Sequence, residues 1–201
     1  MKELALHILD ISQNSITAGA DRVDVTIRED SKQDRMSIEI RDNGSGIPAE
    51  MLENITDPFV TTRTTRKVGL GLNLFQAGAL ACDGSFDVHS KPGEGTDVKA
   101  VYRRSHIDRA PLGNMPDTIV TMLMSFGHAR LVYTHELDGR RFVFDSQEIT
   151  DTFDDPDALT DPEVLEWVRE FVAEGLDEIS RPDSGEDIIE GVKDEKITGR
   201  A

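Results

Sequence analysis

Two runs near the front of the chain, DRVDVTIRED (21–30) and RMSIEIRDN (35–43), alternate apolar and polar residues. Alternation with period two sends successive side chains to opposite faces of a strand, so Val23, Val25 and Ile27 share one face, as do Met36, Ile38 and Ile40. The pattern demands two half-buried strands with an apolar layer over them. Residues 3–18, ELALHILDISQNSITA, read as a helix able to supply that layer, ending at Gly19, a residue suited to the left-handed position after a helix. Pro48 suits the first turn of a helix across AEMLENITD. PFVTTRTTRKVG (58–69) has no period and reads as a mobile loop, LGLNLFQAGALACDG (70–84) as a helix of small residues, and SFDVHS (85–90) with TDVKAVYR (96–103) as two further strands about KPGEG. The order α, ββ, α, loop, α, ββ predicts the α/β class, with one helical layer over a mainly antiparallel sheet.

The character changes after Arg104. Residues 104–116 read as a connector, PDTIVTMLMSFG as a short apolar helix, and ARLVYTHEL with RRFVFDS as a hairpin turning at Asp138-Gly139. Thr160-Asp161-Pro162-Glu163 has the form of a capping box. It opens a helix in which Val164, Leu165, Val168, Phe171, Val172 and Ile179 fall on one stripe. The expected organisation is a domain over 1–104, a small α+β extension over 105–180, and a disordered polar tail over 181–201.

The charge follows this division. Residues 1–104 hold 13 Lys+Arg and 16 Asp+Glu, a net of -3, whereas residues 105–201 hold 9 and 23, a net of -14. So acidic a second half repels nucleic acid, and any charged partner of it should be basic. A composition of 37% hydrophobic and 30% charged residues is that of a globular protein. No apolar run approaches the roughly 18 residues of a membrane span. The opening segment has no secretory pattern, and the single cysteine, Cys82, sits in an apolar helical stretch as an inert buried thiol. These features predict a cytoplasmic protein without a membrane partner.

Three short patterns carry potential chemistry, each with a plain alternative. Asp10 and Asn14, at i and i+4, lie on a helical stripe with Glu3, His7 and Thr17 that is either a solvated face or a convergent pair of side-chain oxygens. DNGSGIP (42–48) either turns the chain or holds something. VGLGLN (68–73) places Gly69 and Gly71 at a helix start, which serves either close packing or a phosphate group. Gly95-Thr96, alone, is a turn.

Taken in order, Asp10-x-x-x-Asn14, Asp42-x-Gly44-x-Gly46, the Thr/Arg loop, Gly69-x-Gly71 and Gly95-Thr96 resemble the boxes of the Bergerat-fold (GHKL) ATPase superfamily, in its histidine-kinase form. The resemblance covers about the first 104 residues and implies a two-layer Bergerat sandwich that binds ATP with Mg²⁺. It implies that Asn14 ligates the metal, that Asp42 accepts a hydrogen bond from the adenine amino group, and that Gly44 and Gly46 let the loop close on the base, with Thr96 joining that network. It also implies a lid over residues 58–68, in which Arg63, Arg66 and Lys67 meet phosphate charge, while Gly69, Gly71 and Leu72 present the helix start. Asp10 stands where hydrolases of the superfamily carry Glu, one methylene longer, so a water-activating role calls for different geometry. His7 reads as a locally hydrogen-bonded residue and not as a phosphoacceptor; His89, His106, His128 and His135 have no metal-ligand spacing. The expectation is a stand-alone module that phosphorylates or regulates a partner protein, with an ATP-gated scaffold of little turnover as the alternative and a homodimer as an open possibility.

Overall fold

The computed structural model of the chain describes residues 3–56 and 70–181. Helix α1 (Leu4–Thr17) leads into strands β1 (Arg22–Asp30) and β2 (Arg35–Asp42), followed by α2 (Ala49–Thr56), α3 (Leu70–Ala81), β3 (Ser85–Lys91) and β4 (Gly95–Arg103). Then come α4 (Met115–Phe126), β5 (Arg130–Leu137), β6 (Arg140–Asp145), α5 (Ser146–Phe153), a 3₁₀ turn at Ala158–Thr160 and α6 (Pro162–Ser180). The expected lid and the tail beyond Arg181 lie outside the described residues.

All six strands form one mixed sheet in the order β3-β4-β2-β1-β5-β6. Val23, Val25, Ile27, Met36, Ile38 and Ile40 are each at most 1% exposed, as the alternation requires, and they face Leu4, Ile8, Ile11, Phe75, Ile119 and Val168 of the helices in one continuous core. The other face of the sheet is polar, with ion pairs such as Arg41–Asp97 (2.8 Å) and Arg28–Glu136 (3.0 Å) running across the strands. Exposed pairs of this kind add little stability each. They keep that face in water, so the molecule is a two-layer α/β sandwich.

The hairpin at 130–145 is present, with Asp138 (φ 51°) and Gly139 (φ 89°) both in the left-handed region that a tight hairpin turn needs. It is not set apart from the first 104 residues. Strand β5 lies parallel to β1, with Val25 opposite Tyr133 and Ile27 opposite His135, so the extension adds two strands to the same sheet. A buried network fastens the join: His135 Nε2 meets Glu29 Oε1 at 3.1 Å, Tyr133 Oη meets His135 Nδ1 at 3.0 Å, and Arg104 Nε donates to Glu29 Oε2 at 2.9 Å. The hydrogen bond from His135 is the chief reason the Glu29 carboxyl is held below its ordinary range.

Local chemistry explains the helix ends. Helix α1 has no side-chain cap; Leu4 and Ala5 donate instead to the carbonyls of Pro111 and Leu112, so the connector satisfies donors that would otherwise be orphaned. At its other end Gly19, with φ 80°, takes the left-handed position. Helix α6 is capped by Asp161, whose side chain accepts from Glu163 N at 2.7 Å, one residue beyond the expected Thr160. Thr160 is occupied in the 3₁₀ turn, where its hydroxyl donates to the Asp157 carbonyl. Pro162 then fills the first helical position, where its missing N–H costs nothing.

Candidate functional site

The alternation that sends Met36, Ile38 and Ile40 inward continues to Asp42, leaving a carboxylate only 9% exposed at the end of a core-facing row. A buried carboxylate is costly unless it is hydrogen-bonded. Here three donors meet it: Ser15 Oγ reaches Oδ2 at 2.6 Å, and the backbone N–H groups of Gly44 (2.9 Å) and Thr96 (3.2 Å) reach Oδ1. A carboxylate offers about four acceptor directions, so one remains for an N–H group of a ligand. Ser15 is 4% exposed and continues the buried stripe of Leu4, Ile8 and Ile11 on α1, which carries its hydroxyl to the end of β2.

The loop after Asp42 is shaped by close backbone approach. Gly46 has φ 68°, and a Cβ built there would lie 2.0 Å from the Lys91 carbonyl oxygen; Gly95 has φ 103°, and a Cβ there would lie 2.0 Å from the Asp42 carbonyl oxygen. Only glycine fits either position. A Cβ on Gly44 would crowd Ala18 and Asp42 Oδ1, both within 3.2 Å. Ser90 ties the two turns together: its hydroxyl accepts from Ile47 N at 2.8 Å, donates to the Gly95 carbonyl at 2.9 Å, and sits 2.9 Å from Thr96 Oγ1. Asn43 anchors the loop from below, accepting from the N–H groups of Asp21 and Arg22 at 3.1 Å each.

Across from this loop, the start of α3 lies against α1. A Cβ on Gly71 would be 3.4 Å from Asp10 Cβ, so the small residue lets the two helices meet. Asp10 and Asn14 are exposed, and their side-chain oxygens make no hydrogen bond among the described residues. Leu72 is 7% exposed and belongs to the core, and Asn73 Oδ1 is buried with no partner among the described residues. His7 departs from expectation. It is 6% exposed, its ring stacks on Phe75 at 5.7 Å, and its Nδ1 has no hydrogen-bond partner among the described residues, so it packs and does not bond locally. Burial holds its imidazole below the ordinary value, which keeps it neutral at pH 7.

The fold thus brings Asp42, Gly44, Gly46 and Thr96 into one constellation, and Asp10, Asn14 and Gly71 into a second beside it, with α1 spanning the two through Asp10, Asn14 and Ser15. Arg63, Lys67 and Gly69 lie outside the described residues. Ser15 and Ser90 were not singled out from the sequence; the available signal was position, Ser15 continuing a helical core stripe and Ser90 continuing the row of Phe86 and Val88. A buried, pre-bonded carboxylate beside a glycine loop suits a base that offers an amino group, and two free oxygens near a helix start suit a hard cation with phosphate.

These features define a two-layer α/β sandwich with a glycine-lined polar site at the end of β2. The family described as Histidine kinase-, DNA gyrase B-, and HSP90-like ATPase matches residues 2–105, and the chain belongs to it. Similar proteins include the sensor histidine kinase YxdK of Bacillus subtilis, 32% identical over 105 residues that make up 49% of this chain and 32% of that protein. The signal transduction histidine-protein kinase AtoS of Escherichia coli is 38% identical over 96 residues, 47% of this chain and 15% of that protein. The non-motile and phage-resistance protein of Caulobacter vibrioides is 32% identical over 111 residues, 51% of this chain and 13% of that protein. The chain therefore spans a third or less of the length of these relatives. Among solved structures, the Aquifex aeolicus MutL ATPase domain complexed with ADP aligns at 15% identity and a TM-score of 0.40, over 77% of this chain and 70% of that one.

Proposed function

We propose that this protein is a cytoplasmic Mg·ATP-dependent module of the histidine-kinase or anti-sigma-kinase type, which phosphorylates or regulates a separate partner protein. The observation that carries the reading is the Asp42 carboxylate, held by Ser15, Gly44 and Thr96 with one acceptor direction open. Asp42 would take the adenine amino group in that direction, and Gly44 and Gly46 would let the base lie against backbone. Asn14 would hold Mg²⁺ through its side-chain oxygen, the cation keeping waters and phosphate oxygens as its other ligands. When bound, magnesium neutralises charge building on the transferred phosphoryl group. A hydroxyl or imidazole of the partner would attack the γ-phosphorus as the bond to the β-γ bridging oxygen breaks; ADP would leave, and the attacking group's proton would pass to water.

A second reading, an ATP-gated scaffold with little turnover, is favoured by Asp10. This carboxylate is exposed and short, and among the described residues nothing orients it toward an attacking water. Incubation of the protein with γ-labelled ATP and cell lysate separates the two. Transfer predicts a discrete labelled band that is lost in Asp42→Asn; nucleotide binding with neither transfer nor phosphate release supports the scaffold. No nucleotide binding at all contradicts both.

A further inference from the structure

The acidity of the second half is concentrated in residues 146–181, which include α5 and α6. Residues 146–181 contain 12 Asp+Glu and 2 Lys+Arg, a net of -10 out of -17 for the whole chain. On α6, Glu163, Trp167, Glu170, Glu174 and Glu178 recur every three or four residues and form one exposed stripe opposite the buried Leu165, Val168, Val172 and Ile179. Glu166–Glu170, Glu170–Glu174 and Glu174–Glu178 are like-charge pairs at i, i+4, and acids crowd the end of the helix, where the dipole disfavours them. Folding does not need this repulsion. Lysines there would serve the helix better.

Trp167 lies on this stripe, 51% exposed. Its ring lies parallel to Phe171, at an interplanar angle of 8° and a centroid distance of 5.2 Å, and Phe171 in turn packs on Phe142. One face of the indole is therefore covered and fixed, and among the described residues no cation lies on the other. Arg169 is committed to Asp117 (3.0 Å) and Glu166 (3.1 Å), while Glu163, Glu170 and Glu174 make no ion pair among the described residues. A pre-oriented aromatic face on the same exposed stripe as unpaired carboxylates matches a segment carrying guanidinium groups, which stack on aromatic rings and donate to carboxylates.

We propose that the exposed stripe of α6 is a docking surface for a basic segment of a partner protein, with one arginine stacked on Trp167 and further basic side chains meeting Glu163, Glu170 and Glu174 along the stripe. This goes beyond nucleotide binding and does not rest on it. Trp167 is the chain's single tryptophan, so its emission reports on this face without a label.

The test is a titration of the full chain, without nucleotide, with a short peptide of arginines spaced by alanines at about 0.15 M salt. The expected result is a saturable change in Trp167 emission. By calorimetry, Trp167→Leu, which leaves charge unchanged, should weaken peptide binding about threefold. Glu163→Gln, Glu170→Gln and Glu174→Gln together should weaken it about tenfold. Neutralising Asp87, Glu94 and Asp108 elsewhere on the surface should weaken it less than about twofold. All these side chains are exposed, and circular dichroism checks each fold. No emission change, unchanged affinity in Trp167→Leu, or equal losses in the two charge-neutralised variants would each overturn the proposal.

Discussion

Replacing Ser15 with Ala removes one oxygen and leaves the rest of α1 in place. The lost contact is the 2.6 Å hydrogen bond to Asp42 Oδ2, while Gly44 N and Thr96 N both donate to the other oxygen. A buried hydrogen bond to a charged group is worth about 1.5–3 kcal/mol, and water recovers part of that once the partner is gone. A loss of about 1–2 kcal/mol in ATP affinity follows, or about five- to thirtyfold in Kd. The loss should be specific to adenine, because guanine offers a carbonyl oxygen where adenine has its amino group and cannot use the carboxylate in the same way. Calorimetric titration of Mg·ATP and Mg·GTP into both proteins measures it, with urea unfolding to monitor stability; alanine's higher helix propensity offsets part of any destabilisation. Equal losses for both nucleotides, or unchanged ATP affinity in a folded Ser15→Ala protein, would refute the assignment of Ser15 as the residue that orients Asp42.

Gly175→Ala should cost about 1–3 kcal/mol, because a Cβ there would lie 2.1 Å from the Phe142 ring, which is itself held between Tyr133 and Phe171. Thermal melting would show the drop, and Mg·ATP affinity well below the melting point should not change. Glu29, whose carboxyl is held low by His135, contributes stability that is full above the unfolded-state value of about 4.3 and is lost as pH falls through the lower folded-state value. The gap in melting temperature between wild type and Glu29→Gln should therefore be wide at about pH 7 and narrow toward about pH 3; a gap independent of pH would contradict the network. Cys82 is 1% exposed, and burial pushes its thiol up, so a disulfide reagent should label it only as urea unfolds the chain. Rapid labelling of the native protein would show that the core opens around α3.

The alternation in β1 and β2 made the core face legible, and by the same parity it made the burial of Asp42 legible too. Asp138-Gly139 announced a hairpin because few other pairs tolerate left-handed φ at both positions. What local pattern does not encode is which strand that hairpin joins. The parallel pairing of β5 with β1 depends on contacts far apart in sequence, above all Glu29 with His135, and neither residue signals its partner. Helix α5 escaped notice because SQEITDTF buries only Ser146 and Ile149, too few for a visible period. His7 shared the spacing of a polar stripe, yet the approach of Phe75 from α3 turned it into a packed residue. In the site, glycine spacing was readable, whereas the hydroxyls that hold Asp42 and the loop, Ser15 and Ser90, depend on how α1 and β3 meet the end of β2.

The central claim is that Asp42 recognises the base of ATP. Titration of Mg·ATP into wild type and Asp42→Asn, with matched melting curves to confirm the fold, tests it directly. Binding by wild type and a loss of at least ~2 kcal/mol in the variant, about thirtyfold in Kd, is the predicted result. Equal affinity in the two folded proteins would contradict it.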